Sequence, residues 1–126
     1  MTANTPKTRK AKGRTFQKEI VTIIQAVNPE FEPGDLGVAL MGEAGEDIKV
    51  KNPAKKWLYM LATECKRTEN LNLTGAFEQA KKRREKDIIP ILAHRKSRHG
   101  PLITLSAVDF FMIYRGYALY KRGVYE

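Results

Sequence analysis

The sequence has one cysteine, Cys65, among its 126 residues. A single thiol excludes an internal disulfide and any zinc site built from several cysteines. No apolar run approaches the roughly 20 residues a membrane helix needs, and the N-terminus carries no apolar leader. No membrane partner and a cytoplasmic setting are expected. Histidine is scarce too: His94 and His99 flank the basic turn HRKSRHG, with no further part of a histidine-based site nearby. Acids are outnumbered, 14 Asp plus Glu against 23 Lys plus Arg, for a net charge of +9. A small domain this basic tends to bind polyanions, nucleic acid above all; the alternative is a soluble basic protein without such a partner.

What is present suits one domain with a real core, at 42% hydrophobic residues. Residues 1–12, MTANTPKTRKAK, read as a disordered basic arm, because Lys7, Arg9, Lys10 and Lys12 come with no acid and no apolar anchor. Residues 13–126 read as the folded domain. Phe16, Ile20, Ile23, Ile24 and Val27 recur at helical spacing, with Glu19 at the margin of that stripe, and Pro29 marks the helix end. A glycine-rich segment follows, with a short helix or strand near residues 36–41. DIKV (47–50) predicts a strand, KNPAKKW a connection, and YMLATECK (59–66) a second strand antiparallel to DIKV. LTGAFEQAKKRREK (73–86) predicts a helix with Ala76, Phe77 and Ala80 buried. DIIPILAHRK (87–96) predicts a strand whose Pro90 marks an edge, bulge or boundary. LITL reads as a short returning strand, and Ser106 with Asp109 reads as a capping box for a last helix that is apolar nearly all round. Such a helix buries more than one face, either in the core alone or between core and partner. The order gives a mixed α/β fold, a small sheet flanked by helices.

The end of YMLATECK breaks the pattern of a buried strand. Side chains alternate across a strand, so Glu64 and Lys66 share one face about 7 Å apart, while Cys65 points the other way. If DIKV pairs with this strand, Asp47 comes close to Glu64. Two carboxylates at close quarters repel unless a proton or cation lies between them. Oxygen ligands of that kind favour Mg²⁺ or Mn²⁺, and a neighbouring lysine can orient water or steady an anion. On spacing alone, solvated strand ends account for the same residues.

The ordered set of Glu19, GEDIKV with Asp47, TECK with Glu64 and Lys66, and FEQA with Gln79 resembles the PD-(D/E)xK nuclease superfamily. More narrowly, it is similar to the small archaeal and phage-type Holliday junction resolvases, over residues 13–105. The proline of the family motif is replaced here by Glu46. The resemblance implies a restriction-endonuclease-like core and a metal-dependent endonuclease cutting branched DNA as a homodimer, in a prokaryotic or phage-infected cell. It implies Asp47, Glu64 and the backbone carbonyl of Cys65 as ligands of Mg²⁺ or Mn²⁺, with Glu19 as a further ligand of metal or water. It gives Lys66 the attacking water and Gln79 a supporting place.

The basic side chains expected to track the DNA backbone are Lys10, Lys12, Arg14, Lys18, Lys81, Arg83, Arg95 and Arg98. No familiar motif for reading the major groove is present, which favours recognition of DNA structure over sequence. A nicking, repair or degradative nuclease of the same fold is the nearest alternative. A non-catalytic basic DNA- or RNA-binding protein is the alternative from another class.

Overall fold

The computed structural model describes residues 5–40 and 43–124. Helix α1 spans Pro6–Val27, and the Thr5 hydroxyl oxygen caps it by accepting the Thr8 N–H at 3.1 Å. Proline suits the first helical position because the N–H it lacks has no intrahelical partner there anyway. Residues 6–12 are therefore helical, where charge alone predicts a disordered arm; the Thr-Pro start is a local signal that composition hides. Residues 1–4 lie outside the described residues. At the other end, the Asn28 N–H and side-chain amide both donate to the Ile24 carbonyl at 2.9 Å, ahead of Pro29.

Two small sheets follow. β1 (Leu36–Val38) and β2 (Ile48–Val50) form an antiparallel hairpin in which Leu36 opposes Val50. A 3₁₀ helix (Pro53–Leu58) leads to β3 (Leu61–Arg67). Helix α2 (Leu73–Lys81) then crosses to β4 (Ile89–Arg95), which lies parallel to β3. β5 (Leu102–Thr104) returns antiparallel to β4, and the order is β3-β4-β5. Helix α3 (Ala107–Lys121) completes the described chain. The fold is mixed α/β, as the element order predicts.

DIKV thus ladders to β1 rather than to β3, because the short segment near residues 36–41 is a strand that takes its edge. Asp47, the residue before β2, bonds to β3: its N–H donates to the Thr63 carbonyl at 2.8 Å. Pro90 sits in the central strand, not at an edge. Its neighbour Ile89 donates to Met60 on the β3 side, so the nitrogen of Pro90 faces the β5 side. β5 ends opposite Leu92 and leaves that position with no ladder bond to lose.

The three-stranded sheet is covered on both faces. On one, Phe16 and Ile20 of α1 pack with Leu36, Ile48, Tyr59 and Ala93, and Leu61 and Cys65 lie against them. On the other, Ala76 and Ala80 of α2 pack on Leu92. Each large apolar side chain buried this way contributes about 1.5–3 kcal/mol. α2 ends at Lys81, short of the basic run predicted to continue it. Beyond it, Arg83 and Arg84 turn onto the carboxylates of Glu64 and Asp109.

α3 starts as its capping box predicts, with the Ser106 hydroxyl oxygen accepting the Asp109 N–H at 3.1 Å. Its apolar side chains do not enter the core. Asp109 is its one buried residue, paired with Arg84.

Candidate active site

Asp47 reaches β3 because the loop before it turns sharply. Gly45 adopts φ +100°, a left-handed conformation that side-chain-bearing residues rarely take. A Cβ there would stand 2.7 Å from the Lys49 ammonium, which donates to the Ala44 carbonyl at 2.8 Å and closes the loop. Ile48 is fully buried and pins the strand that follows.

The Asp47 carboxylate accepts the Cys65 N–H at 2.8 Å, while its own N–H is bound to Thr63. Asp47 is thereby locked to the edge of β3. The N–H and C=O of one strand residue point to the same edge, so the Cys65 carbonyl faces Asp47 as well.

Glu64 and Lys66 lie on the α2 face of β3, opposite Cys65, as alternation predicts. Glu64 accepts from Arg83 Nε at 2.9 Å. Its carboxyl is held above the usual range, chiefly by burial and further by the negative charge of Asp47; Arg83 and Lys66 act the other way. Asp47 and Glu64 are thus close enough to feel each other. Glu46 and Asp47 also act on Arg83, whose pKa is raised first of all by its bond to Glu64. Burial pushes the Cys65 thiol up, away from thiolate chemistry, and its side chain rests against the core on the α1 face.

Other expected residues lie elsewhere. Glu19 is on the α1 side, where its two oxygens accept from Arg95 Nη1 at 2.8 and 2.7 Å. It is not joined to the Asp47–Glu64 pair. Gln79 is exposed on α2, one turn before Arg83. His94 bonds the Thr104 hydroxyl at 2.9 Å, and burial lowers its pKa. His99 is exposed in the following turn.

The expected cations divide into engaged and open. Lys81 pairs with Glu78, Arg83 with Glu64, and Arg95 with Glu19. Lys18 and Arg98 are exposed, the latter in a turn at φ +67°. Lys10 and Arg14 line a groove of about 310 Å³ together with Gln17, Glu43 and Asp47. Lys12 lines the neighbouring groove with Thr15, Arg67 and Arg95. Basic side chains of α1 therefore flank the acid at the strand edge. Arg67 was not singled out in the sequence, although its parity on β3 puts it on the α1 face.

Among the described residues, no three His, Cys, Asp or Glu side chains are grouped to hold a metal ion. Asp47 and Glu64 supply two carboxylates, the first bonded to the Cys65 N–H and the second to Arg83. Mg²⁺ commonly takes one or two carboxylates and fills its other positions with water and phosphate. The donor chemistry, two carboxylates and a backbone carbonyl, fits such an ion, with Arg83 the cation now beside it. No helix among the described residues is long and apolar enough to cross a membrane. The chain matches no protein-family model, no curated protein and no solved structure.

Proposed function

We propose that the chain is a metal-dependent endonuclease hydrolysing DNA phosphodiesters, with four-way junctions as substrate and a homodimer as its working form. One observation carries this reading: Asp47 is locked by two hydrogen bonds to the end of β3 that presents Glu64, the Cys65 carbonyl and Lys66. The hairpin and the parallel β3–α2–β4 unit thus support an acidic pair beside an amine at the carboxyl end of a strand. Open α/β sheets commonly bind ligands at that end.

Asp47, Glu64 and the Cys65 carbonyl would hold Mg²⁺ or Mn²⁺, which supplies a water of lowered pKa and positive charge against the phosphate. Lys66 orients the attacking water by donating to it and balances charge on the phosphate. Lys10 and Arg14, in the groove that Asp47 shares, take the flanking phosphates. Arg83 is poised to move from Glu64 to a phosphate oxygen. Burial around Glu64 strengthens each of these charge interactions.

Purified protein offered four-way junction, flap and linear duplex with Mg²⁺ or Mn²⁺, against EDTA, tests the proposal. Metal-dependent cutting of the junction in preference to the others is expected. Equal cutting of all three removes the junction preference and leaves a general nuclease of the same chemistry. The Arg83–Glu64 ion pair favours a second reading, a non-catalytic nucleic-acid-binding protein in which that pair is structural. Salt-sensitive binding with no hydrolysis in any metal selects it.

A further inference from the structure

We propose that two copies of this chain exchange their α3 helices, each lying in an apolar groove on the α1 side of the other copy. α3 is a 15-residue helix that buries none of its large apolar side chains. Phe111 is 63% exposed and Tyr117 58%, and Phe110, Met112, Ile113 and Tyr114 are similarly open. At about 200 Å² for a whole aromatic side chain, these leave several hundred Å² of contiguous apolar surface. A monomer rarely leaves a patch of that size open, and one side of a standard interface covers about 800 Å².

The matching surface is on the same chain. Ile23, Ile24, Leu61, Ile91, Pro101 and Ile103 line a groove of about 220 Å³ with almost no polar lining. Ile23 is 41% exposed and Ile103 49%. A groove of this kind accepts aromatic anchors. The helix of the same copy is held away from it. Only residues 105 and 106 separate β5 from α3, and Asp109 ties the first turn of the helix to Arg84, beyond α2. The groove opens on the other face of the sheet, where Leu61, Ile91 and Ile103 project. At 100° per residue, Phe111, Tyr114 and Ala118 stand on the side of the helix away from Asp109. They are the side a neighbour meets.

A second copy satisfies both surfaces with one operation. Twofold exchange puts each α3 in the other copy's groove and closes the assembly. A foreign partner would have to cover two separate apolar surfaces. A lipid surface suits a helix with one polar face, and apolar residues occupy every side of α3. The inference gives a geometry to the homodimer of the proposed function but is argued from these surfaces alone, and its tests do not read cleavage.

Light scattering of the full chain on a sizing column, at about 10–100 μM, reads the state directly. Twice the chain mass is expected, with Phe111→Glu and Ile103→Glu each shifting the protein to monomer at unchanged circular dichroism. A monomeric parent overturns the proposal, including one that sediments with vesicles; so does a dimer indifferent to both substitutions. Cysteine pairing reads the geometry. In a Cys65→Ser background, Ile103→Cys and Phe111→Cys chains, mixed and oxidised, form a disulfide between the two variants. Crosslinking of the Phe111→Cys chain only to itself overturns the exchange.

Discussion

Arg83 Nε donates to Glu64 Oε1 at 2.9 Å, so the acid at the end of β3 already has a counter-ion. Burial disfavours the charged form of Glu64 and Asp47 adds repulsion, while the guanidinium offsets part of both. A divalent cation bound by Glu64 and Asp47 must compete with that contact. Two charges of one sign do not share a partly buried carboxylate without cost. Replacing Arg83 by Met is therefore expected to tighten Mn²⁺ binding several-fold in calorimetry, and to weaken DNA binding at the same time. Equal or weaker Mn²⁺ binding by the variant shows that Arg83 does not compete at this carboxylate. No Mn²⁺ binding by either protein removes the metal site itself.

Asp47→Asn and Lys66→Ala test the proposed chemistry with the fold kept. An asparagine at 47 still offers an oxygen to the Cys65 N–H, so the edge contact survives while the charge is lost. Among the described residues Lys66 makes no side-chain hydrogen bond, and its removal takes away the amine proposed to orient the water. Groups that position or transfer a proton commonly contribute about 10²–10⁴-fold. Single-turnover cleavage of a labelled junction is expected to fall by that order for each variant, with melting temperature near that of the parent. Parental rates in both place the chemistry elsewhere on the molecule.

Lys10 and Arg14 share a groove with Asp47, so DNA entering the proposed site would pass them. Each phosphate contact releases counterions and contributes about 0.9 to the slope of log K against log salt. Lys10→Ala and Arg14→Ala should each flatten that slope by nearly one, measured by fluorescence anisotropy across a salt series. Lys81→Ala, whose ammonium pairs with Glu78, should change it less. Similar losses for all three would mean that binding is spread over the surface rather than routed through the groove.

The periodicity of apolar residues revealed α1, α2, β3 and β4 because each has a buried face of its own, whereas the exposed β5 was legible only as an apolar run after a turn. Three features were not legible for identifiable reasons. β1, expected as a short helix or strand, is three residues long, too short for alternation to decide between the two, and its pairing redirected DIKV. Pro90 reads as an edge, a bulge or a strand boundary, and only the reach of β5 selects among them: it is the second residue of β4, beyond the end of β5. Thr5-Pro6 starts a helix through capping chemistry that a count of charges does not see. At the site, alternation sufficed to separate Glu64 and Lys66 from Cys65. The bond between Asp47 and Cys65 depends on how a hairpin docks against a strand, which no local pattern encodes. The Glu19–Arg95 and Glu64–Arg83 pairs are similarly long-range, 76 and 19 residues apart. The unusual character of α3 was visible in its composition, but its exposure was not.

Leu92 is the central side chain of the α2 face, fully buried against Ala76 and Ala80. Both partners are small and fixed to a helix, so they have little capacity to fill a space left behind. Leu92→Ala should cost about 2–5 kcal/mol in urea unfolding, through lost transfer energy and the cavity. It should also loosen α2 and with it the Arg83–Glu64 contact. A loss below about 1 kcal/mol would mean that α2 settles onto the sheet.

Glu69 joins the turn after β3 to the turn after β4. Its two oxygens accept the Ser97 N–H at 3.1 and 2.8 Å, and Arg67 lies 3.3 Å away. Bonds from the Ser97 hydroxyl and then its N–H are the main causes that lower the carboxyl from 4.5 to about 2. The folded value is below the unfolded one, so the unfolded chain binds the proton more readily. The stabilisation is therefore fully present above pH of about 4.5 and is lost as pH falls towards about 2. The melting temperature of the parent should exceed that of Glu69→Gln at pH 7, and the gap should close in acid. Because Glu69 is exposed, the gap at pH 7 should also shrink with added salt. A gap that persists unchanged at both pH values would assign the stabilisation to the shape of the side chain rather than to its charge.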